Sequence, residues 1–173
     1  DLEIGPDSQI LFSTNEGGLY ELNKHKAEAI EIPRRLDEAV IRCFLKDADG
    51  RIWLGTDGMG LYEETDGKWR RYTSRKGIAY GWIKDIIQDQ YGKIWVASTG
   101  GGVYYLDEKR FRSINSQDSI KVERAECLLE DSRGSIWAGS RGKGLLKISA
   151  YHLDTIYAEM ANTNIRCLAE DAD

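Results

Sequence analysis

The stretch that decides the fold is Asp47-Ala48-Asp49-Gly50-Arg51-Ile52-Trp53-Leu54-Gly55-Thr56. It returns 42 residues later as Asp89-Gln90-Tyr91-Gly92-Lys93-Ile94-Trp95-Val96-Ala97-Ser98, and after 42 more as Asp131-Ser132-Arg133-Gly134-Ser135-Ile136-Trp137-Ala138-Gly139-Ser140. A fainter copy near the start is Gln9-Ile10-Leu11-Phe12-Ser13-Thr14. Short β-like runs that repeat every 40–45 residues, roughly, are typical of propeller blades. The repeat therefore predicts an all-β fold, and it favours a binding surface over a catalytic centre.

The second unit predicts four short antiparallel strands, at 41–45, 52–56, 61–64 and 69–72. Asp47 caps the turn after the first strand, Gly50 supplies its positive φ, and Asp66-Gly67 is typical of a hairpin. Four such strands make one blade of a β-propeller. We expect a single domain over 1–173 with about four blades, at 1–39, 40–81, 82–123 and 124–164, and with 165–171 as the first strand of a following or closing blade.

The two ends of the chain leave two arrangements open. The chain begins close to the second strand of a blade, and residues 165–171 copy a first strand. The C-terminal strand could complete the first blade and close a ring. The alternative is an open arc of blades cut from a larger propeller.

Three tryptophans occupy one column of the repeat, Trp53, Trp95 and Trp137. A small residue follows each of them two positions later, and large side chains beside small ones allow twisted sheets to stack without voids. We therefore interpret the tryptophans as contacts between blades rather than as a ligand platform.

The three cysteines, Cys43, Cys127 and Cys167, also share a column, in which Asp85 is the fourth member. Equivalent positions of different blades lie too far apart for a disulfide, which needs Cα atoms within about 7 Å. We expect three small, buried, free thiols.

Composition excludes several classes of function. The 173 residues carry a formal charge of −5 with both signs mixed along the chain, and the absence of a basic stripe argues against nucleic acid. No apolar run approaches the roughly 18–20 residues of a membrane span, so we expect no direct membrane contact in this segment. The glycine clusters precede strands rather than helices, unlike phosphate-binding loops. His25 and His152 occupy no recurring column. We expect no cofactor, no metal and no enzymatic activity.

The recurring string resembles the two-component regulator propeller repeat. The copy most like it is Glu130-Asp131-Ser132-Arg133-Gly134-Ser135-Ile136-Trp137-Ala138-Gly139-Ser140, and Gly77-Ile78 matches the Gly-Leu lead-in of that repeat. The resemblance covers essentially the whole chain. It implies the periplasmic, extracytoplasmic sensor region of a bacterial hybrid two-component histidine kinase of the kind common in gut Bacteroidetes, where related sensors respond to glycan fragments.

That resemblance also bears on the size of the protein. Such sensors usually carry two propellers of about seven blades, then a β-sandwich, a membrane helix and the kinase. A chain of about four blades is therefore expected to be a fragment of a larger propeller. Its expected partners are an oligosaccharide and the neighbouring blades of the parent chain, with a homodimer as an alternative.

Three functions follow from these observations. The leading one is a non-catalytic module that senses an oligosaccharide and signals to a histidine kinase. The alternative is a structural or protein-interaction scaffold. An enzyme such as a lyase or glycoside hydrolase is disfavoured, because a glycosidase needs two carboxylates about 5–10 Å apart in a cleft, and the acidic residues lie mostly in turn columns.

One connection between blades departs from the repeat, Arg75-Lys76-Gly77-Ile78-Ala79-Tyr80-Gly81-Trp82. Trp82 lies outside the tryptophan column, and Asp85 follows three residues later. Aromatic rings for stacking beside a hydrogen-bond acceptor predict a sugar-binding set of Arg75, Tyr80, Trp82 and Asp85. The alternative is that Tyr80 and Trp82 cap the blade while Asp85 pairs with a nearby Lys or Arg.

Overall fold

The computed structural model describes residues 2–4, 10–14, 18–23, 26–37, 39–79, 81–114, 122–150, 152–157 and 163–171. In this part of the chain the strands form four separate antiparallel sheets of four strands each. The helical segments with described bounds there are single 3-10 turns at Arg34–Leu36 and Ser74–Lys76, and Ile114 also has 3-10 conformation. The all-β fold predicted from the repeat is confirmed.

Each sheet is a meander whose strands pair in chain order. The first sheet consists of β1 (Leu2–Ile4), β2 (Ile10–Ser13), β3 (Leu19–Asn23) and β4 (Lys26–Ile30). The second consists of β5 (Ile41–Lys46), β6 (Ile52–Thr56), β7 (Leu61–Thr65) and β8 (Lys68–Tyr72). The third consists of β9 (Trp82–Gln88), β10 (Ile94–Thr99), β11 (Gly102–Asp107) and β12 (Arg110–Ser113). The fourth consists of β13 (Ala125–Glu130), β14 (Ile136–Ser140), β15 (Leu145–Ser149) and β16 (His152–Tyr157).

This connectivity gives every sheet two distinct ends. The turns between first and second strands and between third and fourth strands lie at one end, called here the lower end. The turns between second and third strands, and the connections to the next sheet, lie at the upper end. The boundary between two neighbouring sheets is called a seam.

The first sheet contains its own first strand. β1 pairs antiparallel with β2, with Leu2 opposite Phe12. The prediction that the chain begins near a second strand, leaving a place for residues 165–171, was wrong. The first unit has Gly5 where the other units have the turn aspartate, and without that signal a three-residue strand is not recognisable. Arg141, which follows the second strand of the fourth sheet, forms an isolated β-bridge with Asn164.

In the second, third and fourth units the turn aspartate binds both its own turn and the repeat tryptophan. Asp47 Oδ1 accepts the backbone N–H groups of Asp49 and Arg51 at 3.0 and 2.9 Å, and its Oδ2 accepts the Nε1–H of Trp53 at 2.8 Å. The predicted turn cap is therefore present, and the same carboxylate also holds the indole. The arrangement recurs with an Nε1–Oδ2 distance of 2.8 Å in the pairs Asp89–Trp95 and Asp131–Trp137.

The sheets stack face to face through three apolar clusters, one in each seam. Strand β10 shows the pattern: Ile94 and Val96 pack toward the second sheet, while Trp95 and Ala97 pack toward the fourth. Side chains alternate across a strand, so a strand between two seams is buried on both faces. Trp53 and Trp95 are buried as predicted, whereas Trp137 is half-buried.

The small residue two positions after each tryptophan accommodates the start of the next unit. At Gly55 and Gly139 it also accommodates the cysteine of its own sheet, whose Sγ would lie within 2.5 Å of an added Cβ. A Cβ on Gly55 would lie 2.6 Å from Ile83 Cγ2, and a Cβ on Gly139 would lie 2.7 Å from Ile165 Cγ2. In the third unit this position is Ala97, and the residue in the next sheet is Ala125 instead of isoleucine; both belong to one buried cluster. The extra methyl group on one side is thus offset by a smaller side chain on the other, as close packing requires.

Hydrogen bonds also close the seams at the lower end. The residue before the turn aspartate of one sheet accepts the backbone N–H of the residue after the turn aspartate of the preceding sheet. These bonds join Ala48 to Gln88, Gln90 to Glu130 and Ser132 to Glu170, each with an N–O distance of 2.8 Å. The lower ends of the sheets are therefore linked in the same way at each of these seams.

The three cysteines are free, as predicted, but they are not equally buried. Burial raises the pKa of Cys43 well above its usual range and that of Cys127 to about 11. Cys167 is exposed, so the prediction of three buried thiols was wrong at this position. The segment 163–171 has no sheet of its own among the described residues, and its side chains are mostly exposed.

We predict that a thiol reagent distinguishes these cysteines. Cys167 should react rapidly in the native protein at neutral pH, whereas Cys43 and Cys127 should react only after opening of the seams, because the thiolate is the reactive form. Unfolding in denaturant without reductant should expose three thiols. A count of one would establish a disulfide and contradict this structure.

Replacing Trp95 with alanine should destabilise the protein by about 3–5 kcal/mol, as large-to-small core substitutions do. The replacement also leaves the carboxylate of Asp89 without its indole donor. Denaturant unfolding measures the loss. Tyr91→Ala is the matched control, because Tyr91 lies in the same unit and is 80% exposed; its replacement should change stability by less than about 0.5 kcal/mol. A loss below about 1 kcal/mol for Trp95→Ala would contradict the packing described here.

Candidate functional site

A β-bulge interrupts the first strand of the second, third and fourth sheets near the upper end. Ile41 pairs with Thr56 and Cys43 with Gly55, which leaves Arg42 without a partner on the neighbouring strand. The register shifts in the same way at Lys84 and at Glu126. Bulges turn a side chain out of the regular alternation and are frequent beside functional sites. The charged side chains at these three positions therefore leave the regular alternation of the first strands.

Asp57 connects the bulge residues of two sheets. Its Oδ2 lies 2.6 Å from Arg42 Nη2 of the same sheet, and its Oδ1 lies 3.2 Å from Lys84 Nζ of the next sheet. Burial raises the pKa of the Asp57 carboxyl, but hydrogen bonds and charge from Arg42 and Lys84 outweigh this effect, so the pKa lies below its usual value. Asp57 is therefore ionised at neutral pH and holds the two cations across the second seam.

Trp82 lies at the same seam with half of its surface exposed. Its side chain is 49% exposed, and its backbone forms a β-bridge with Asp57. The indole Nε1 lies 3.6 Å from the position that a Cβ on Gly58 would take. The ring is thus held beside the ion pairs of Asp57, with a large part of it open to solvent.

The backbone fixes Trp82 in this place through Gly81. The N–H groups of Gly58 and Gly60 both donate to the carbonyl of Gly81 at 3.0 Å. A Cβ on Gly81 would lie 2.5 Å from the carbonyl oxygen of Gly58, so no other residue fits without displacing the turn. The connection that carries Trp82 is therefore tied to the turn that carries Asp57.

Two further apolar side chains are exposed at this end of the second sheet. Val40 is 46% and Met59 is 37% exposed, and the carbonyl of Val40 accepts the N–H of Asp57. Val40, Met59 and Trp82 are thus exposed apolar side chains at the same upper end as the charged group of Arg42, Asp57 and Lys84. We call these six residues the upper-end site.

The structure distributes the four predicted site residues differently. Tyr80 lies outside the described residues, and Arg75 is exposed on the 3-10 turn Ser74–Lys76. Asp85 accepts the backbone N–H groups of Ile86 at 2.9 Å and of Leu128 at 2.7 Å, which places its carboxylate between the third and fourth sheets. The alternative expectation, that Asp85 pairs with a Lys or Arg, was wrong, because its partners are these two N–H groups. A ligand role for the four residues stays a prediction.

Sequence reasoning missed Arg42, Asp57 and Lys84. A signal for two of them was present, because Arg42, Lys84 and Glu126 form a charged column within otherwise apolar first strands. No such signal marked Asp57, whose equivalents are Thr99 and Arg141.

Another concave surface lies at the outer edge of the first two sheets. A cavity of about 600 Å³ is lined by Ile30, Glu31, Ile32, Pro33, Arg34, Glu64, Gly67 and Trp69. The Nε1–H of Trp69 already donates to the carbonyl of Glu31 at 3.0 Å, and the ring packs against the apolar cluster of the first seam. Trp69 is therefore a packing residue, and this cavity is a weaker candidate than the upper-end site.

Within the described part of the chain, no group of three His, Cys, Asp or Glu side chains is placed to hold a metal ion. No helix found there is long and apolar enough to cross a membrane.

Meander sheets of one repeat, stacked face to face, define the fold as blades of a β-propeller. Residues 35–58 match the profile of the two component regulator propeller family. This match confirms the resemblance seen in the repeated strings. No curated protein sequence matches the chain.

Solved structures with the same fold include extracellular domains of bacterial two component systems. That of the hybrid two component system BT3049 from B. thetaiotaomicron is 23% identical, with a TM-score of 0.82, over 99% of this chain and 25% of that chain. That of the hybrid two component system BT4673 from B. thetaiotaomicron is 17% identical, with a TM-score of 0.70, over 93% and 24%. Virginiamycin B lyase from Staphylococcus aureus is 12% identical, with a TM-score of 0.70, over 90% and 55%. This chain thus spans about a quarter of these two extracellular domains, whose location agrees with the predicted extracytoplasmic one.

Asp85 yields a pH-dependent prediction. Burial raises its pKa above the ordinary 3.8, although the N–H groups of Leu128 and Ile86 act in the opposite direction. A raised native pKa means that the wild-type protein loses stability as the pH rises from about 4 through that native value. An asparagine side chain at this position would resemble the protonated carboxyl, so Asp85→Asn should gain stability relative to wild type across that pH range.

Denaturant unfolding of both proteins at several pH values between about 3 and 7 measures this difference. Asp66→Asn is the control, because Asp66 is exposed in a turn, and its effect should be small at every pH. A stability difference for Asp85→Asn that is constant, or that shrinks as the pH rises, would contradict the assignment.

Proposed function

We propose that this chain is a non-catalytic, extracytoplasmic ligand-sensing module of a bacterial two-component system. It recognises an oligosaccharide at the upper-end site and signals to a histidine kinase. The observation that carries the proposal is Trp82, a half-exposed indole beside the ion pairs that Asp57 makes with Arg42 and Lys84.

The chemistry of this group suits a sugar. The exposed face of Trp82 offers an apolar, electron-rich surface to the C–H groups of a pyranose ring. The charged side chains beside it make the stronger, charge-assisted hydrogen bonds to hydroxyl groups. Binding sites usually lie on loops that a rigid scaffold holds in place. The connection that carries Trp82 is held in this way, because the turn 57–60 donates two hydrogen bonds to the carbonyl of Gly81.

The site also suits a sensor because it joins two sheets. Asp57 and Arg42 belong to the second sheet and Lys84 to the third. A ligand that contacts both sides of the seam binds more tightly to one relative position of the two sheets than to another. This difference in affinity shifts the equilibrium between the two positions. We infer that ligand binding is transmitted along the stacked sheets toward the rest of the receptor.

Similar proteins of known structure support the proposed sensor role and indicate how much of a receptor this chain represents. Two of them are extracellular domains of hybrid two component systems, and this chain spans about a quarter of each. We therefore propose that the complete protein contains further blades and a histidine kinase, and that the module lies in the periplasm.

The lyase with the same fold makes an enzyme the obvious competitor. At the upper-end site the carboxylate of Asp57 is bound to two cations, and Asp85 is bound to backbone N–H groups. Neither is placed as a free general acid or base, which favours binding without catalysis.

A protein-interaction scaffold is the second candidate. The exposed side chains of Val40, Met59 and Trp82 would suit an apolar surface of a partner protein or of a second copy. This function predicts association through the same surface without any affinity for sugars.

Titration with a panel of oligosaccharides, followed by calorimetry on the best ligand, tests the proposal. Trp82→Ala should weaken binding by about 2 kcal/mol or more, as loss of a central aromatic contact does, with little change in melting temperature. Tyr91→Ala is the control, since Tyr91 is exposed at the lower end, and it should bind as wild type. If Trp82→Ala lowers the melting temperature as much as Trp95→Ala while affinity per folded molecule is unchanged, Trp82 is a packing residue and the proposal fails.

A further inference from the structure

The charges of the chain are unevenly divided between the two ends of the sheets. The upper ends of the second to fourth sheets comprise the described residues of 40–42, 57–60, 73–84, 99–102, 122–126 and 141–144. Seven side chains there are positive: Arg42, Arg75, Lys76, Lys84, Arg124, Arg141 and Lys143. Three are negative there: Asp57, Glu123 and Glu126.

The lower-end turns of the same sheets have the opposite balance. Residues 46–51, 64–68, 88–93, 107–110 and 130–135 contain seven positive and nine negative side chains. The whole chain has a formal charge of −5. The upper end is therefore positive although the protein as a whole is negative. The excess of positive charge is confined to the end of the sheets that carries Trp82.

The charged group beside Trp82 has donors to spare. The guanidinium of Arg42 has five N–H donors; its Nη2 bonds to Asp57, and the side chain is 46% exposed. Lys84 has three donors, and its Nζ bonds to the other oxygen of Asp57. Two cations share one carboxylate, which leaves this group with a charge of +1.

We propose that the oligosaccharide taken by the upper-end site is acidic, and that Arg42 and Lys84 bind its anionic group while Trp82 stacks on the ring that carries it. This inference rests on the proposed function and adds the ligand class to it. The anionic group is a carboxylate, as in a uronic acid, or a sulfate ester; both accept hydrogen bonds from a guanidinium and an ammonium.

In this arrangement Asp57 has a second role. It orients Arg42 and Lys84, and it also repels an incoming anion. Removing its charge while keeping its shape therefore frees donors of both cations. We therefore expect Asp57→Asn to bind the acidic ligand more tightly than the wild type does. A site for neutral sugars would instead bind more weakly, because the substitution removes a hydrogen-bond acceptor.

Calorimetry with three probes tests this: an oligosaccharide of four α-1,4-linked galacturonic acids, its fully methyl-esterified form and a sulfated chondroitin disaccharide. At least one acidic probe should bind, with an affinity that falls as salt is raised, and the neutral ester should bind at least about tenfold more weakly than the free acid if the carboxylate is the group recognised. Lys84→Gln should weaken the acidic complex about tenfold, and Asp57→Asn should tighten it about threefold or more.

Two matched variants keep the result interpretable. Lys84→Arg retains the charge and should retain binding. Lys109→Gln removes an exposed lysine at the lower end and should leave affinity unchanged, which separates a local contact from the loss of net charge. A melting temperature for each variant shows that it is folded.

The outcomes separate this inference from the function on which it rests. If the panel of oligosaccharides yields a neutral ligand whose affinity depends on Trp82 but not on salt or Lys84, the module senses sugars and the acidic class is wrong. If no saccharide of either charge binds to the folded protein, both statements fail. Binding of only the sulfated probe assigns sulfate as the anionic group, and binding of only the galacturonate assigns the carboxylate.

Discussion

The hydrogen bond between the turn aspartate and the indole of the repeat tryptophan is the interaction on which the structure depends. One carboxylate fixes two N–H groups of its turn through Oδ1 and the Trp Nε1–H through Oδ2. Asp47 is 1% and Asp89 8% exposed, and a buried carboxylate is tolerated only when hydrogen bonds satisfy it. The turn, the second strand and the orientation of the largest packing side chain are therefore a single unit. Because this unit recurs in three sheets, each sheet presents the same face to the next.

This constraint makes the lower end uniform and leaves the upper end free to vary. With the turn fixed, the N–H of the residue after the aspartate points to the neighbouring sheet, where Gln88, Glu130 and Glu170 accept it. At the upper end the hydroxyls of Thr56 and Ser140 donate to the carbonyls of Gly60 and Gly144 at 2.7 and 2.8 Å. The next position in the repeat differs from unit to unit, as Asp57, Thr99 and Arg141 show. At the upper end, residues can differ between units without disturbing the stacking of the sheets. Trp82 and the bulge residues lie at this end.

The bulges bring charged side chains of a packing strand to the surface. Without the shift of register, Arg42 and Lys84 would have to point into a seam, where an ion needs costly compensation. With the shift, both reach Asp57 at the surface, beside Trp82. The surface that results is positive in a chain that is negative overall, joins two sheets and carries a half-exposed indole. These are the properties on which the proposed recognition of an acidic sugar rests.

The sequence by itself determined what is local and periodic: the strands, the capped turns, the burial of Trp53 and Trp95, and the absence of long helices in the part described. It did so because alternation, Asp-to-Gly turns and large-beside-small columns act within about ten residues and recur every 42. Only the tertiary structure decided where side chains meet across seams. Asp85 looked like a ligand acceptor because it is polar in a column of cysteines, but its carboxylate binds the N–H of Leu128, 43 residues away. Likewise Asp57 meets Lys84, 27 residues away, because a bulge moves Lys84 out of the core. The charged column marks Lys84 in the sequence, but it does not show that Asp57 is the partner.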